Sequence, residues 1–469
     1  MTHWEHLLSK DKARNSSTVQ KSVHDGRNPF EEDYSRLVFS APVRRLQDKA
    51  QVFPLDKSDY VRTRLTHSLE VSSIARSIGS SIENKLIKEK PDLNEIIRGK
   101  LSSILATIGL VHDIGNPPFG HFGESVIQTF FKEWFKEEKN QQFVNTLTPE
   151  QKADFENFEG NTQTFRLLTK LNYLIDDKGY NLTFATLASI VKYPRSSIEG
   201  NKPKDKRISY HKFGYFQSEK ATFEAIKEKT QIRSSRHPLA FLLEAADDIA
   251  YSAADIEDGL KKNVISYEMI KDVLGSELNF NKPAQRELYE TLEQYKNEVH
   301  SGYQGNIYEV VLQRFRIKAQ GYMIESVVDL FCKKEKQILN GEFDEDIILA
   351  SEAKEVRVAF KKLAGKHIFS HQSIVTKELV GEKIICGLLD LFVNAVMSTD
   401  RNKPKTKNGK LYSLISPNYR FICETYPYDK TSNGEPSVYD RLLLVTDFIC
   451  GMTDSYALDL YQRLTGIKL

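Results

Sequence analysis

A histidine and an aspartate stand side by side in the segment LVHDIGNPPFGHFGE, residues 110–124. The apolar run before them predicts a helix, and Gly115 and Pro117 end it because proline lacks a backbone donor and clashes with the preceding turn. A carboxylate next to apolar residues is costly to bury unless it is paired or bound to a metal. His112 and Asp113 are therefore candidate metal ligands. The alternative is a satisfied core histidine followed by a capping aspartate.

Two other segments offer side chains of the same chemistry. His67 lies near the apolar side of an amphipathic helix that begins at Leu65, although histidine is not a typical core residue. The segment 241–260 places one tyrosine and several acids on a single helical arc at about 100° per residue. These residues are Glu244, Asp247, Asp248, Tyr251 and Asp255. The alternative for this arc is a solvated acidic face, but the alanines between the acids allow other backbone to approach closely.

Two histidines and two aspartates from three helices would make a mixed nitrogen and oxygen ligand set. Such a set favours an octahedral divalent ion such as manganese, magnesium, iron, nickel or cobalt over a closed tetrahedral zinc site. The chemistry of such an ion is Lewis-acid catalysis, in which it polarises a phosphoryl oxygen and lowers the pKa of a water molecule.

The elements that must position these side chains are predominantly helices. Helical periodicity recurs along most of the chain, and the strongest strand signal is residues 410–423, where Ser416 and Pro417 could turn a small hairpin. We therefore predict an all-α fold with at most that hairpin. Our division is an N-terminal arm at 1–35, a catalytic core at 36–265 and a C-terminal helical region at 266–469 packed on the core.

Composition narrows the class of protein. The 469 residues include 66 Lys plus Arg and 64 Asp plus Glu, and a net charge of +2 argues against binding polyanions by bulk charge. Two segments are nevertheless basic, Lys192–Lys212 with seven basic against two acidic residues, and Arg401–Lys410 with five basic residues. Four scattered cysteines without a CxxC pair indicate a reducing setting. We expect a cytoplasmic protein without a signal peptide or a membrane span.

The ordered motifs resemble the HD phosphohydrolase superfamily, and within it the deoxyguanosinetriphosphate triphosphohydrolase (dGTPase) family. The resemblance runs from about residue 26 to about residue 464. Its segments are GRNPFEEDYSRLVFSAPVRRLQDKAQVF, RTRLTHSLEV, LVHDIGNPPFGHFGE, FEGNTQTFRLL, KYP followed by KFGYFQSEK, EAADDIAYSAADIEDG and DFICGMTDSYALDLYQRL.

The resemblance implies a role for each candidate residue. It implies metal ligands at His67, His112, Asp113 and Asp247, and a catalytic dyad of His121 and Glu124. A histidine and a glutamate three residues apart at a helix start can hydrogen-bond, so the carboxylate can hold the imidazole protonated for general-acid work. The remaining residues are implied to bind substrate: Arg64, Lys192, Tyr193 and Lys212 at the phosphates, Tyr251 and Asp255 at the deoxyribose, Gln51 near the purine, and Asn161 as a weaker candidate.

The resemblance thus implies a metal-dependent hydrolase that cleaves dGTP, or other dNTPs, to a deoxynucleoside and inorganic triphosphate. Mg or Mn is the expected ion, with Fe, Co or Ni as alternatives, and a homo-oligomer, often a hexamer, is the expected assembly. One rival is an HD phosphohydrolase of monophosphates or cyclic nucleotides. Another is a nucleotide-sensing or single-strand-DNA-binding module. No segment between about 262 and 440 indicates which base is preferred.

Overall fold

The computed structural model describes residues 3–14, 25–55, 58, 60–232, 235–369 and 371–467. Within these ranges nearly all regular structure is helical. Extended backbone pairs only at isolated bridges, such as Ala50 with Thr63, and forms no sheet. The prediction of an all-α fold is confirmed.

The α-helices are numbered in chain order, and short 3-10 turns connect several of them. The first half of the chain forms α1 (His3–Leu7), α2 (Pro29–Val38), α3 (Ala41–Arg45), α4 (Arg64–Glu89), α5 (Asn94–Ile97), α6 (Lys100–Val111), α7 (Gly120–Trp134), α8 (Gln141–Val144), α9 (Pro149–Glu156), α10 (Gly160–Thr169), α11 (Phe184–Ile190) and α12 (Lys220–Thr230). The second half forms α13 (Pro238–Lys261), α14 (Tyr267–Glu277), α15 (Pro283–Glu298), α16 (Ile307–Leu339), α17 (Lys354–Leu363), α18 (Gln372–Met397), α19 (Lys407–Leu414), α20 (Pro417–Thr425), α21 (Val438–Cys450) and α22 (Asp454–Leu464).

The hairpin predicted at 410–423 is wrong, because α19 and α20 occupy that segment. Pro417 is the first residue of α20, where its fixed φ suits a helix and its missing donor costs nothing. Tyr419, Ile422 and Cys423 of α20 are buried at helical spacing. A short apolar run fits both the strand and the helix period, and here tertiary burial selects the helix.

The helices α4 and α6 form the centre of the fold and run antiparallel in very close contact. An ideal Cβ added to Gly79 would lie 2.7 Å from the Cα of Ser102, and one added to Gly109 would lie 2.8 Å from the Cα of Ser72. The two glycines therefore let the backbones touch. Because the helices are antiparallel, the first turn of α4 lies level with the end of α6, and this brings His67 to His112.

The helix α13 packs on both α4 and α6 and is covered on its other side by α16 and α17. It is consequently buried on nearly every face, with small residues such as Ala246 and Ala250 at the contacts. This burial contradicts the alternative of a solvated acidic face and places the acids of α13 against the two histidines.

The remaining helices enclose this centre. Helix α2 packs on α6, and α18 packs on α7 and α21. The division into an arm at 1–35, a core and a C-terminal region remains our proposal, and residues 1–2 and 15–24 of the arm lie outside the described ranges. No helix in the described ranges is both long and apolar enough to cross a membrane.

Gly109→Ala is expected to lower the free energy of unfolding by about 1–3 kcal/mol, because its methyl group would overlap the backbone of α4. Urea denaturation measures the change. Gly321→Ala is the matched control, since Gly321 lies inside α16 with open space around it, and there alanine should be neutral or stabilising. Equal effects of the two substitutions would contradict the close α4–α6 contact.

Candidate active site

Three potential metal ligands meet where α4, α6 and α13 converge. The Nε2 atom of His67 lies 3.1 Å from Oδ1 of Asp247, and Nε2 of His112 lies 3.5 Å from the same oxygen. One ligand atom from each residue falls within 4.8 Å of the other two. The structure therefore brings together three of the four predicted ligands in a geometry that could hold one cation.

The ring of His112 is oriented as a metal-binding histidine requires. Its Nδ1 lies 2.8 Å from the carbonyl oxygen of Gly109, which can only accept, so Nδ1 donates. Its Nε2 is buried and has no hydrogen-bond partner. A histidine whose one nitrogen is fixed by a carbonyl presents the other nitrogen to a metal. Burial opposes a positive charge on this ring, but Asp113 and Asp247 outweigh it and raise the pKa of His112. The cluster thus favours a cation.

Asp113 stands at the edge of this group. Its Oδ1 lies 3.4 Å from Nε2 of His112 and accepts a hydrogen bond of 2.9 Å from the amide of Asn116. Its other oxygen is ion-paired with Arg64. Burial alone would raise the pKa of Asp113, but His112 and Arg64 hold it well below its usual range. Asp113 is therefore an ionised carboxylate next to the three-residue group, and its role as a fourth ligand stays a prediction.

Two buried cations border the cluster. Nζ of Lys192 lies 3.3 Å from Oδ2 of Asp247, and the pKa of Lys192 is raised by Asp247 and Glu244 although burial opposes it. The guanidinium of Arg64 is buried, and its Nε has no partner. It lies so close to Gly120 that a Cβ there would be 2.4 Å from its terminal nitrogen. Both cations are placed to meet an anionic ligand next to the cluster.

The predicted dyad is formed at the start of α7. Nδ1 of His121 lies 2.9 Å from Oε2 of Glu124, and the imidazole is 73% exposed while the carboxylate is 5% exposed. The ion pair with Glu124 raises the pKa of His121. The other oxygen of Glu124 accepts a hydrogen bond of 2.8 Å from the backbone N–H of Gly160. An exposed imidazolium held by a buried, oriented carboxylate is suited to donate a proton.

Gly160 permits this contact between α10 and α7. A Cβ at this position would lie 2.1 Å from Oδ1 of Asn116 and 2.5 Å from Oε1 of Glu124. The glycine in the segment FEGN was therefore the sequence signal for a close approach to the dyad, although sequence reasoning assigned it no role.

Lys212 lies next to the dyad, where it is ion-paired with Glu159. Its charge also lowers the pKa of Glu124. The side-chain amide of Asn161 donates a hydrogen bond of 3.2 Å to Glu159. Lys212 thus adds a third cation to this region, while Asn161 contacts the site through a carboxylate.

The remaining predicted substrate residues lie around the helices that carry the cluster. Tyr193 follows Lys192, and burial and Glu244 raise its pKa to about 12. Oε1 of Gln51 is buried without a hydrogen-bond partner. Asp255 is 3% exposed, and burial and Asp258 raise its pKa well above the usual range. Gln51 therefore has a buried oxygen without a hydrogen-bond partner, and Asp255 is a carboxyl group whose ionised form is destabilised by burial. Both properties are typical of groups that contact a ligand.

Most of the other cations in the basic segment Lys192–Lys212 lie elsewhere. Arg195 and Arg207 stack on the ring of Tyr210, with guanidinium carbons 4.1 and 3.8 Å from its centroid. Arg195 and Tyr210 line a separate cavity of about 710 Å³. Lys192 and Lys212 are thus the two basic residues of this segment that lie beside the candidate metal ligands and the dyad.

Sequence reasoning missed Arg357, and it placed Asp248 on the acidic arc without giving it a role. Asp248 directly follows the candidate ligand Asp247, but its side chain faces Arg357, whose Nε lies 2.8 Å from its Oδ2. Arg357 also donates to the hydroxyl of Tyr251 at 3.1 Å. The doubled aspartate was a visible signal, whereas nothing in the sequence linked α13 to an arginine more than 100 residues later.

Comparisons with known proteins show the family to which the chain belongs. The family model for the HD domain matches residues 64–175. A Listeria innocua protein named deoxyguanosinetriphosphate triphosphohydrolase-like is 42% identical over 99% of this chain and all of its own length. A Synechocystis protein of the same name is 36% identical over 99% of this chain and all of its own length. A Salmonella paratyphi A protein named deoxyguanosinetriphosphate triphosphohydrolase is 30% identical over 96% of this chain and 95% of its own length. The chain therefore belongs to the deoxyguanosinetriphosphate triphosphohydrolase family of HD-domain hydrolases.

Proposed function

We propose that the protein is a metal-dependent dNTP triphosphohydrolase, with dGTP as the first candidate substrate, that releases a deoxynucleoside and intact inorganic triphosphate. The observation that carries this proposal is the convergence of three cations on one site. Arg64 comes from α4, and Lys192 and Lys212 come from the two ends of the segment Lys192–Lys212. Each of them is paired with a carboxylate, which is Asp113 for Arg64, Asp247 for Lys192 and Glu159 for Lys212.

A divalent ion held by His67, His112 and Asp247, with Asp113 as a fourth ligand, would polarise a phosphoryl oxygen and lower the pKa of a water molecule. Mg or Mn is our first choice for this ion, and Fe, Co or Ni would also suit such a mixed ligand set.

The chain's own residues supply the other parts of the reaction. Arg64, Lys192 and Lys212 would bind the triphosphate and offset its negative charge, with Tyr193 beside them. Water adds to the α-phosphorus and releases one proton to the solvent, and the bond from that phosphorus to the 5′-oxygen breaks. His121 donates a proton to the departing oxygen, and Glu124 keeps the imidazole protonated and oriented until then.

The sugar and the base would occupy the other side of the cluster. Tyr251 would stand where a ribose 2′-hydroxyl would lie, Asp255 would accept from the 3′-hydroxyl, and Gln51 would meet the purine. Asn161 stays a weaker candidate, because its side-chain amide already donates a hydrogen bond to Glu159.

The alternative functions agree less well with the positions of the charged side chains. A monophosphate or a cyclic nucleotide needs fewer cations than the three that converge here. A single-strand-DNA-binding role would use Arg401–Lys410, but Arg401 pairs with Glu435 at 2.7 Å and Lys403 pairs with Asp400 at 2.6 Å. Lys405, Lys407 and Lys410 remain exposed, so the salt dependence of DNA binding tests that role.

The proposed reaction is tested by identifying its products. The four dNTPs are assayed one at a time and as a mixture, each with Mg, Mn or Co. We expect inorganic triphosphate and deoxynucleoside in equal amounts from at least one of the dNTPs. Release of pyrophosphate or orthophosphate would contradict the cleavage position. Light scattering tests the homo-oligomer that we propose, and cell fractionation tests the cytoplasmic location.

A further inference from the structure

Arg357 joins two side chains of the helix that carries the metal ligand Asp247. It lies on α17, which packs on α13, and it is only 6% exposed. Its Nε lies 2.8 Å from Oδ2 of Asp248, and a terminal nitrogen donates to the hydroxyl of Tyr251 at 3.1 Å. One guanidinium therefore fixes both side chains at once.

The link reaches the part of the site where the sugar would lie. Tyr251 is four residues after Asp247 on α13, so the two side chains share one face of the helix. Asp248 is buried, and the ion pair holds the guanidinium in place. The hydroxyl of Tyr251 is thus held by an arginine that belongs to another helix.

We infer that Arg357 is a positioning residue that fixes the ring of Tyr251 against the sugar and thereby sets the preference for deoxyribose over ribose. This inference rests on the proposed function, since it assumes that Tyr251 faces the sugar. A tyrosine ring moves about two side-chain torsions, and a hydrogen bond from a charged donor to its hydroxyl restricts that motion. A fixed ring excludes a 2′-hydroxyl, whereas a ring that can swing aside admits one.

The planar fork of arginine is needed for this role. Two of its nitrogens point to two different acceptors in fixed directions, whereas the ammonium of lysine is a point charge on a flexible stem. Lysine at this position would keep the charge opposite Asp248 but would lose the fixed contact with Tyr251.

The test compares one dNTP with its ribonucleotide counterpart. The dNTP is the one that the wild-type protein hydrolyses best, and the measured quantity is the ratio of kcat/KM for the two nucleotides. We expect Arg357→Lys to lower this ratio roughly tenfold, through a gain with the ribonucleotide and a higher KM for the dNTP. A merely structural role would lower both values equally, because both nucleotides meet the same folded fraction of the protein.

A second variant decides the question if Arg357→Lys does not fold. Tyr251→Phe retains the ring, Arg357 and Asp248 and removes only the hydroxyl that Arg357 holds, so it should lower the same ratio. Lys361→Ala is the control, since Lys361 lies exposed on the same helix and should leave the ratio unchanged. An unchanged ratio in Arg357→Lys, or in Tyr251→Phe where the first variant does not fold, would overturn the inference.

Failure of the proposed function gives a different result. If the wild-type protein binds nucleotides without releasing triphosphate, the proposed reaction is wrong, and the same ratio is then read from dissociation constants. If the wild-type protein is active and the variants keep its ratio, the reaction stands and the role of Arg357 is wrong.

Discussion

His112→Ala is expected to lower turnover roughly a thousandfold and to remove the divalent ion from the purified protein. A Lewis-acid ion contributes several kcal/mol to the transition state, and each ~1.4 kcal/mol is a factor of ten in rate. We choose His112 among the candidate ligands because its Nε2 is buried without a hydrogen-bond partner while its Nδ1 is fixed by the carbonyl of Gly109. Metal content by mass spectrometry and kcat with saturating dNTP are the two measurements.

His300→Ala is the control for this variant, because His300 is exposed on a loop before α16. It should retain both the ion and the activity. Full metal content and full turnover in His112→Ala would show that the three-residue group is not the metal site.

His121→Ala is expected to lower kcat by about 10²- to 10⁴-fold while the divalent ion stays bound, because the loss is that of a general acid. The choice of leaving group separates this role from damage to the fold. A nitrophenyl triphosphate ester releases a phenolate that needs no proton, so its hydrolysis should be nearly unaffected. Equal losses with the dNTP and the ester would contradict proton donation by His121.

The pH profile gives a second measurement of the same dyad. Glu124 raises the pKa of His121, so the protonated, active form persists to higher pH than for an ordinary histidine, and activity falls as pH rises through that pKa. Glu124→Gln removes the negative charge that raises the pKa of His121, so the decrease of kcat at alkaline pH should begin at lower pH. Glutamine retains an oxygen to accept from the Gly160 N–H, so the fold around the dyad should be preserved. If the alkaline decrease of kcat does not shift in this variant, another group controls the pH dependence.

Several features of the site could be predicted from the sequence because they depend on local geometry. His121 and Glu124 are three residues apart at a helix start, so helix geometry alone allows their side chains to meet. The all-α class followed from periodicity in the same way. The hairpin at 410–423 is wrong because a short apolar run fits both the helix and the strand period, and only the burial of Tyr419 and Ile422 in α20 distinguishes them.

The meeting of His67 with Asp247, 180 residues apart, has no local cause. Periodicity showed that each residue lies on a helix, and the family resemblance implied that they share a metal, but neither gave the contact. The contact between His67 and Asp247 arises because Gly79 and Gly109 let α4 and α6 touch in an antiparallel pair. The small alanine side chains of α13 then let this helix pack closely on both.

Two neighbouring aspartates illustrate the same limit. The sequence by itself determined that Asp247 and Asp248 lie on one helix near a tyrosine, together with the acid, imidazole and cation types that phosphate chemistry needs. Tertiary structure decided which carboxylate faces the histidines and which faces Arg357. Adjacent residues on a helix differ by about 100° in direction, so the partner of each is set by whichever element packs on that side.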